Sequence, residues 1–541
     1  MWGSRIIIDN QLYAIHNETV RVRYYKKKSR ENIYEYAQLV ESYRVGIKSF
    51  RRVHAFLGRT DDPHSVAFFL KQFAIENILQ GEQPKLYALP TAIYTICIKD
   101  LSLPNILMDI FRSTRIATDV SLLTMLMIIH RIIDPDAKLA LTRWYKNILL
   151  PVPLPQELDV HNLYYTLDYL MSKKEEIEKQ LYYQLQKAQL IDATVVFYDL
   201  TSSYFEGEEV PMAAYGYSRD HRPDLLQITL GLVIDKNGYP IYHEVLPGNT
   251  QDKATVTGIL EKLQNNFQIK NVIFVADKGM LTPDNLEALQ KKQYQSILSE
   301  SIRNALSQEQ RKALFLQKET FIKEANNLWY TTREDKEGTE VIVCYNQYTA
   351  EKAKETRDAK LKKLELFIAE TKEKHKEETE QKEIQKVRDM LLAKLVASHA
   401  RKYFDCREKA AMADLFPHKQ TVIEREEHMD GMWVVRSNTK DLTTKQLIIT
   451  YKDLKTIEAS FRVIKDVIEL RPIYHHKDNR VKGHVFICIL AFLVTKILEQ
   501  KTGQTIKMLR EKYTSAVAIQ ISKNSDQQPV ILGGHDVLQL V

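Results

Sequence analysis

The hydrophobic pattern of this chain changes its period at about residue 193, and the change divides the sequence into regions of different secondary structure. Between about 66 and 190, apolar residues recur at three- and four-residue spacing, which predicts helices. From about 193 the apolar residues come in short runs bounded by turn residues, and these runs predict strands. The chain therefore combines a mainly helical region with a separate region that contains a sheet.

The order of the predicted elements after residue 193 indicates a fold class. The runs VVFYDL, LQITLGLVID and YPIYHEVL predict three consecutive strands. A helical stretch, KATVTGILEKLQNNF, comes next, followed by the strand NVIFVADKGM, a second helix and the strand YQSILSES. Three strands, a helix, a strand, a helix and a strand are the order of an RNase H-like core. We therefore expect an α/β fold with an RNase H-like (retroviral integrase-like) core.

The remaining segments are assigned around that core. The predicted regions are a basic β-rich arm at 1–65, a helical domain at 66–190, the first part of the core at 191–305, an insertion at 306–445, the C-terminal helices of the core at 446–500 and a tail at 501–541. The insertion contains a highly charged helical hairpin at about 350–400, and after it MWVVRSN and QLIIT predict strands. The arm mixes basic with aromatic residues, so it is either a DNA-contacting arm or a small sheet with a solvated basic face.

Composition limits the class of protein. A length of 541 residues predicts two to four domains, and a net charge of +7 allows a polyanionic partner without requiring one. The four cysteines form no C-x-x-C pair, which argues against a zinc site or a disulfide framework. No signal peptide is recognised, and the longest apolar run, which begins at Val485 and contains Lys496, is predicted to be too short to span a bilayer. We expect a cytoplasmic protein.

Two of the predicted strands end on an acid. VVFY leads into Asp199, and VIFVA leads into Asp277. Aspartate is a common residue in turns, which would explain either position alone. Two lone acids at two strand ends favour the alternative, in which a rigid sheet holds the carboxylates for chemistry.

A third acid lies on a predicted helix, YKDLKTIEASFRVIKDVIEL, which begins at Tyr451. At about 100° per residue, Tyr451, Leu454, Glu458, Arg462 and Lys465 fall within an arc of roughly 80°. An adjacent apolar stripe is expected to pack against the sheet. A solvated face with an i,i+4 pair between Glu458 and Arg462 explains these residues equally well.

The three acids and their surroundings resemble one family. The spacing Tyr-x2-Leu-x3-Glu-x6-Lys, from Tyr451 to Lys465, resembles the Tyr-x2-Arg-x3-Glu-x6-Lys signature of bacterial insertion-sequence DDE transposases. The stretches FYDLTS, GYSRDHRPDLLQITLGLVID, LPGNTQD, VADKGM and EASFRVIKD, followed by RVKGHVFICILAFLV, also look like that class. The resemblance covers about 30 to 500. Leu454 departs from it, since the signature has Arg there, and Arg462 is the candidate to replace that phosphate contact.

The resemblance implies a DNA transposase in which Asp199, Asp277 and Glu458 hold two Mg²⁺ or Mn²⁺ ions. Asp199 would be shared by both ions. Carboxylates are suitable ligands for these hard cations, and two such ions can support phosphodiester cleavage and transfer. Lys465 would steer a phosphate and Tyr451 would contact DNA near the cut. Trp433 is either a base-stacking residue or a core residue of a strand.

The implied partners are double-stranded DNA, both as terminal inverted repeats and as target, and a second copy of the chain in the synaptic complex. The alternatives left open are an RNase H-like nuclease without strand transfer and a non-catalytic DNA-binding descendant of a transposase. A glycosidase is disfavoured, because repeated βα units are missing from the sequence.

Several further residues are weaker candidates. Thr201 and Ser202, the basic loop residues Arg219, His221 and Arg222, and the pair Arg480 and His484 are each explained equally well by structural roles. His475 and His476 have no third ligand nearby in the sequence, so a metal role is rejected for them.

Overall fold

A computed structural model describes most of the chain. The described residues are 4–8, 11–15, 20–29, 32–45, 48–59, 85–114, 116, 118–207, 209–269, 272–277, 280, 282–325, 327–336, 338–377, 380–407, 411–513, 517–519, 530–532 and 535–541. The chain forms two compact units, which we call unit 1 (Met1–Ile269 with Lys455–Val541) and unit 2 (Lys270–Leu454).

Among the described residues, unit 1 contains four groups of paired strands and most of the α-helices. Its strands are β1 (Ser4–Ile8), β2 (Gln11–Ile15), β3 (Val20–Ser29), β4 (Asn32–Val45), β5 (Lys48–Arg59), β6 (Lys85–Leu86), β7 (Val195–Tyr204), β8 (Gln227–Asp235), β9 (Pro240–Pro247), β16 (Val517–Ile519) and β17 (Val530–Leu532). Its helices are α1 (Ala88–Lys99), α2 (Leu103–Phe111), α3 (Val120–Ile133), α4 (Lys138–Trp144), α5 (Val160–Ser172), α6 (Lys174–Lys187), α7 (Val256–Phe267), α15 (Lys455–Arg462), α16 (Asp478–Thr502), α17 (Ile506–Tyr513) and α18 (His535–Leu540).

The strand pairs described here for unit 1 are antiparallel. β1 pairs with β2, β4 lies between β3 and β5, and β16 lies between β17 and β6. β8 lies between β7 and β9, and every residue of β8 is buried. Its nearly continuous apolar run, QITLGLVID, matches this position, because both faces of the strand are covered.

Helix α16 forms the core of the helical part of unit 1. It packs against α1, α3, α5 and β9. Its 25 residues are long and apolar enough to cross a membrane by length and composition, so the expected shortness of this segment was wrong. However, 89% of its most apolar window is buried within the protein, as in a core helix.

Unit 2 contains one mixed sheet with helices. Its strands are β10 (Ile273–Ala276), β11 (Gln295–Glu300), β12 (Ile322–Ala325), β13 (Leu328–Glu334), β14 (Glu340–Asn346) and β15 (Met432–Ser437). Its helices are α8 (Pro283–Lys291), α9 (Ile302–Ala305), α10 (Gln308–Leu316), α11 (Gln347–Lys374), α12 (Gln381–Ala397), α13 (Gln420–Glu427) and α14 (Thr444–Lys452). The strand order is β12-β13-β14-β15-β11-β10, in which β10 and β11 are parallel and the other pairs antiparallel.

The charged hairpin of the insertion has an apolar core of its own. Leu361, Leu364 and Ile368 of α11 belong to the same buried cluster as Leu391 and Leu395 of α12. The short stripe therefore holds two long helices together, although most of their remaining surface is solvated.

The predicted chain order is confirmed: β7, β8 and β9 are followed by α7, β10, α8 and β11. One predicted element was wrong. QLIIT lies in helix α14, not in a strand, because the Thr443 hydroxyl accepts a hydrogen bond from the backbone N–H of Gln446 while the Gln446 side chain accepts one from the Thr443 N–H. This capping box specifies a helix start and is legible in the sequence as Thr-x-x-Gln.

Candidate active site

Asp199 lies in the middle of β7, not at its end as predicted. The strand continues through Tyr204, because Thr201, Ser202 and Ser203 pair with β8 and are buried. Asp199 itself is only partly buried among fully buried neighbours, and its Oδ1 accepts the backbone N–H of Leu200 at 2.8 Å.

The register of the sheet defines the face on which Asp199 lies. Asp199 pairs with Leu232, which pairs with His243 of β9, so the three side chains share one face. The His243 ring packs on Phe486 of α16 with ring centroids 5.3 Å apart. Tyr198, on the opposite face, donates a hydrogen bond to Thr255 at the start of α7 at 2.8 Å. Asp199 therefore shares its face with the contact to α16.

Glu458 lies on α15, and α15 packs against β7. Ile457 and Phe461 form the buried side of this helix, whereas Glu458 and Arg462 are exposed. Within the described part of the chain, neither Glu458 nor Arg462 forms an ion pair. The i,i+4 pair that could have explained both residues is therefore not formed.

The single helix predicted from Tyr451 is wrong. The chain forms α14, turns at Asp453 and Leu454, begins α15 at Lys455 and continues into a π-helical segment at Val463–Val467. Tyr451 belongs to unit 2, whereas Glu458 and Lys465 belong to unit 1. The predicted arc assumed one helix of constant pitch, and both the turn and the wider π segment violate that assumption.

Asp277 directly follows β10, as predicted. Helix α14 packs against β10, and the Tyr451 hydroxyl donates a hydrogen bond to Asp277 Oδ1 at 3.4 Å. Burial, together with the nearby Asp277, raises the pKa of Tyr451 to about 12. The phenol therefore keeps its proton at neutral pH and remains a donor to Asp277.

Lys465 is already bound to an acid of its own unit. Its ammonium donates to Asp220 Oδ1 at 2.8 Å, and Arg471 lies 3.4 Å from Asp220 Oδ2. Burial lowers the pKa of Lys465, and the Asp220 carboxylate opposes that effect. Asp220 and Lys465 are 245 positions apart in the sequence, so sequence reasoning missed this partner.

Trp433 lies on β15 opposite Cys344 and is partly buried. Its indole N–H is buried and has no hydrogen-bond partner among the described residues.

The basic loop between β7 and β8 is held by ion pairs. Arg219 donates two hydrogen bonds to Asp252 at 2.7 and 2.8 Å, and its backbone N–H donates to the Ser202 hydroxyl at 2.8 Å. Arg222 pairs with Asp224 at the surface, while His221 is exposed with a φ of 58°.

Arg480 and His484 have structural partners. Arg480 donates to Asp168 at 3.1 Å. His484 Nε2 lies 3.0 Å from the carbonyl oxygen of Leu470, which can only accept, so Nε2 carries the proton and Nδ1 accepts from Lys138 at 3.4 Å.

Around Lys138 and His484 lies a cluster of buried basic groups, which we call the buried base cluster. Its members are His130, Arg131, Lys138, His475 and His484. Arg131 donates to the carbonyl oxygens of Asp136 and Glu469 at 2.7 and 3.2 Å. No carboxylate of the described residues lies within ion-pair distance of Arg131 or Lys138, so the cluster is held by neutral acceptors.

The three predicted acids are divided between the units: Asp199 and Glu458 belong to unit 1 and Asp277 to unit 2. Within neither unit do three His, Cys, Asp or Glu side chains of the described residues converge on a metal position. The donor chemistry itself fits a hard divalent cation, because all three are carboxylates, Glu458 is exposed and Asp199 and Asp277 are partly so.

Comparison with known proteins gives one extensive match. Residues 186–494 match the family model described as a transposase DDE domain, which is more than half of the chain and includes Asp199, Asp277 and Glu458. No curated protein sequence matches the chain.

Among solved structures, the chain is similar to a Mos1 transposase in a paired-end complex with the left transposon end. The two share 14% identity over 38% of this chain and 75% of the other, with a TM-score of 0.15. Because that superposition is poor, the family match alone supports the assignment. The chain belongs to the transposase DDE domain family and is a transposase.

Proposed function

We propose that the protein binds the terminal inverted repeats of an insertion sequence and catalyses metal-dependent DNA cleavage and strand transfer by transesterification. The observation that carries this proposal is the family match over 186–494, within which all three predicted acids are present. A descendant without activity would be expected to have lost at least one of them.

Asp199, Asp277 and Glu458 would hold two Mg²⁺ or Mn²⁺ ions, which when bound supply activation of the attacking oxygen and stabilisation of the phosphoryl charge. Tyr451 orients the Asp277 carboxylate through its hydrogen bond. Strand β7 holds Asp199, and Asp277 directly follows β10, so each of these acids would be attached to a strand of its own unit.

The basic and aromatic side chains named as DNA contacts have distinct proposed roles. Arg462, exposed and without an ion pair in the described chain, would contact a DNA phosphate one helical turn beyond Glu458. Lys465 would do so after exchanging Asp220 for a phosphate. Trp433 would stack on a displaced base.

The N-terminal sheet is a proposed DNA contact. Strands β3, β4 and β5 contain ten Lys and Arg but only two Asp and Glu, whereas the rest of the chain contains 67 and 68. The net positive charge of the chain is therefore concentrated in these strands, and Arg23, Lys26, Lys27 and Arg51 are exposed. Such a surface favours a polyanion.

Synapsis of two element ends requires two DNA-bound copies, so a homodimer is the proposed active form, in the cytoplasm with the nucleoid. The test is cleavage of a labelled duplex carrying the flanking inverted repeat, with Mg²⁺ or Mn²⁺, by the wild type and by Asp199→Ala, Asp277→Ala and Glu458→Ala.

Metal-dependent 3′-hydroxyl ends from the wild type alone, with duplex binding by all four proteins, are expected. Cleavage by the alanine variants at the wild-type rate would show that the three acids are not the catalytic residues. Binding without cleavage by any of the proteins would favour the non-catalytic descendant, and cleavage without joining to target DNA would favour a nuclease.

A further inference from the structure

The loop between β7 and β8 presents two aromatic rings to solvent. Tyr215 is 60% exposed and Tyr217 is 82% exposed. Both lie in the extended segment 214–217, two residues apart, with Gly216 between them. Rings this exposed gain little from burial in the fold, and a pair of them on one loop is a candidate contact surface.

The segment is held rigidly, so the exposure is built into the backbone. Ala214 exchanges two hydrogen bonds of 3.1 Å with Gln227, and the Gln227 side chain donates to the carbonyl oxygen of Tyr217 at 3.0 Å. A Cβ on Gly216 would lie 2.1 Å from the carbonyl oxygen of Gly248. The glycine therefore lets the backbone approach closely and directs both rings outward.

Arginine side chains lie beside the rings of this loop. The Arg219 guanidinium is 5.7 Å from the Tyr217 ring centroid. At the end of β7, Tyr204 is contacted by Arg222 at 5.5 Å and by Arg471 at 4.4 Å. Aromatic rings interleaved with cations are the composition of a surface that stacks bases and neutralises the phosphates between them.

The loop is joined to the strand that carries Asp199 and to the π-helical segment that follows the helix of Glu458. It follows β7, the strand of Asp199. Its Asp220 binds Lys465, seven residues after Glu458. Bases that leave the duplex near a cut at these acids would therefore be within reach of the loop.

We propose that Tyr215 and Tyr217 form a stacking site for unpaired DNA bases, with Arg222 and Arg471 contacting the adjoining phosphates. The inference rests on the proposed function and names the part of the DNA that this loop holds. It assigns base stacking to a position in unit 1 that is different from Trp433.

The test compares a fluorescent oligothymidine of about 20 nucleotides with a duplex of about the same length, by anisotropy titration. Tyr217→Ala and Tyr215→Ala are each expected to weaken binding of the single strand about tenfold, since a base loses its stacking partner. Tyr217→Phe should retain wild-type affinity because it keeps the ring. Tyr165→Ala is the matched control, because Tyr165 is 50% exposed on α5 and outside the loop.

Duplex affinity is expected to stay unchanged in all variants. Equal losses on both DNAs, no loss on the single strand, or a changed oligomeric state with unchanged DNA affinity would each overturn the stacking site. If the wild type cuts the inverted-repeat duplex while Tyr217→Ala binds oligothymidine normally, the inference fails and the transposase function stands. If the wild type binds neither DNA, both fail.

Discussion

Unit 1 contains two regions of ionisable groups that differ in their exposure to water. In the buried base cluster, Lys138 and His484 are 4% and 3% exposed. Near β7, Glu458 is exposed on α15 and has no ion-pair partner in the described chain. The buried base cluster is therefore shielded from water, whereas the Glu458 carboxylate is in contact with water.

The pKa directions follow from this difference. Burial lowers the pKa of Lys138 to about 7, and it lowers those of His130 and His475 to about 3 and that of His484 well below its ordinary value. The three histidines are therefore neutral at pH 7, whereas Lys138 titrates close to that pH, and all four are parts of a buried polar core. Basic residues in this chain are therefore not all available to a polyanion, because those of the buried base cluster are enclosed in the core.

The largest expected effect is acid destabilisation through the buried histidines. Their folded pKa values lie below the unfolded value of about 6.5. Their contribution to the free energy of unfolding is therefore fully present above pH 6.5 and is lost as the pH falls toward 3. His130 and His475 alone should lower the free energy of unfolding by about 4 kcal/mol between pH 7 and pH 5, and His484 adds to that fall. Urea unfolding at several pH values measures this slope.

The neighbours His475 and His476 provide a matched pair for that slope, since one is buried and the other exposed. His475→Gln should reduce the proton uptake on unfolding by about one, and His476→Gln should leave it unchanged. If both variants showed the same dependence of the unfolding free energy on pH, burial would not be what lowers the pKa of His475.

Glu458→Gln tests the role of the exposed acid on α15. We expect a loss of cleavage of about 10³-fold or more, because one of three carboxylates is neutralised, with no change in unfolding free energy. Asp466→Asn, an exposed acid in the π segment after the same helix, is the control and should cut normally. A stability loss in Glu458→Gln would mean that this acid has a structural partner.

The Asp220–Lys465 pair lies between the two extremes, with side chains 10% and 11% exposed. Asp220→Asn should lower the free energy of unfolding by about 2 kcal/mol, since Lys465 and Arg471 lose their carboxylate in a largely dry environment. Asp224→Asn, in the same loop but at the surface, should produce no measurable change. Comparable losses in the two variants would contradict the assignment of the effect to burial.

The smallest expected effect comes from an uncharged side chain at a helix start. Thr443→Ala removes the cap of α14 and should cost about 1 kcal/mol in urea unfolding. Thr444→Ala, one residue later, removes no cap and should be neutral. A larger effect at Thr444 would place the helix start elsewhere.

Periodicity was sufficient to predict the chain order of strands and helices in the core, because buried runs and amphipathic stretches are local properties. It failed where local polarity was misleading. LTSS after Asp199 is typical of a turn, yet these residues extend β7, since β8 supplies partners for their backbone groups. The turn at Asp453 and Leu454 has neither Gly nor Pro to announce it, so the predicted helix was extended backwards into Tyr451.

For the candidate site, the sequence supplied a choice of residues but not the partners of their side chains. Asp199, Asp277 and Glu458 were selected from pattern and resemblance. The contacts of Tyr451 with Asp277 and of Asp220 with Lys465 join positions 174 and 245 residues apart, and no local pattern encodes such distances. The exposure of Tyr215 and Tyr217 likewise depends on the packing of Gly216 against Gly248, which requires the fold.

The position of α16 in the chain has a consequence for synthesis. Helices α1, α3 and α5 leave the ribosome early, but the helix that fills the space between them begins only at Asp478. Unit 2 is one continuous segment and can complete its core before that helix exists. Until then the apolar faces of the early helices lack their central partner, so nascent unit 1 exposes apolar surface for the time needed to translate about 300 residues.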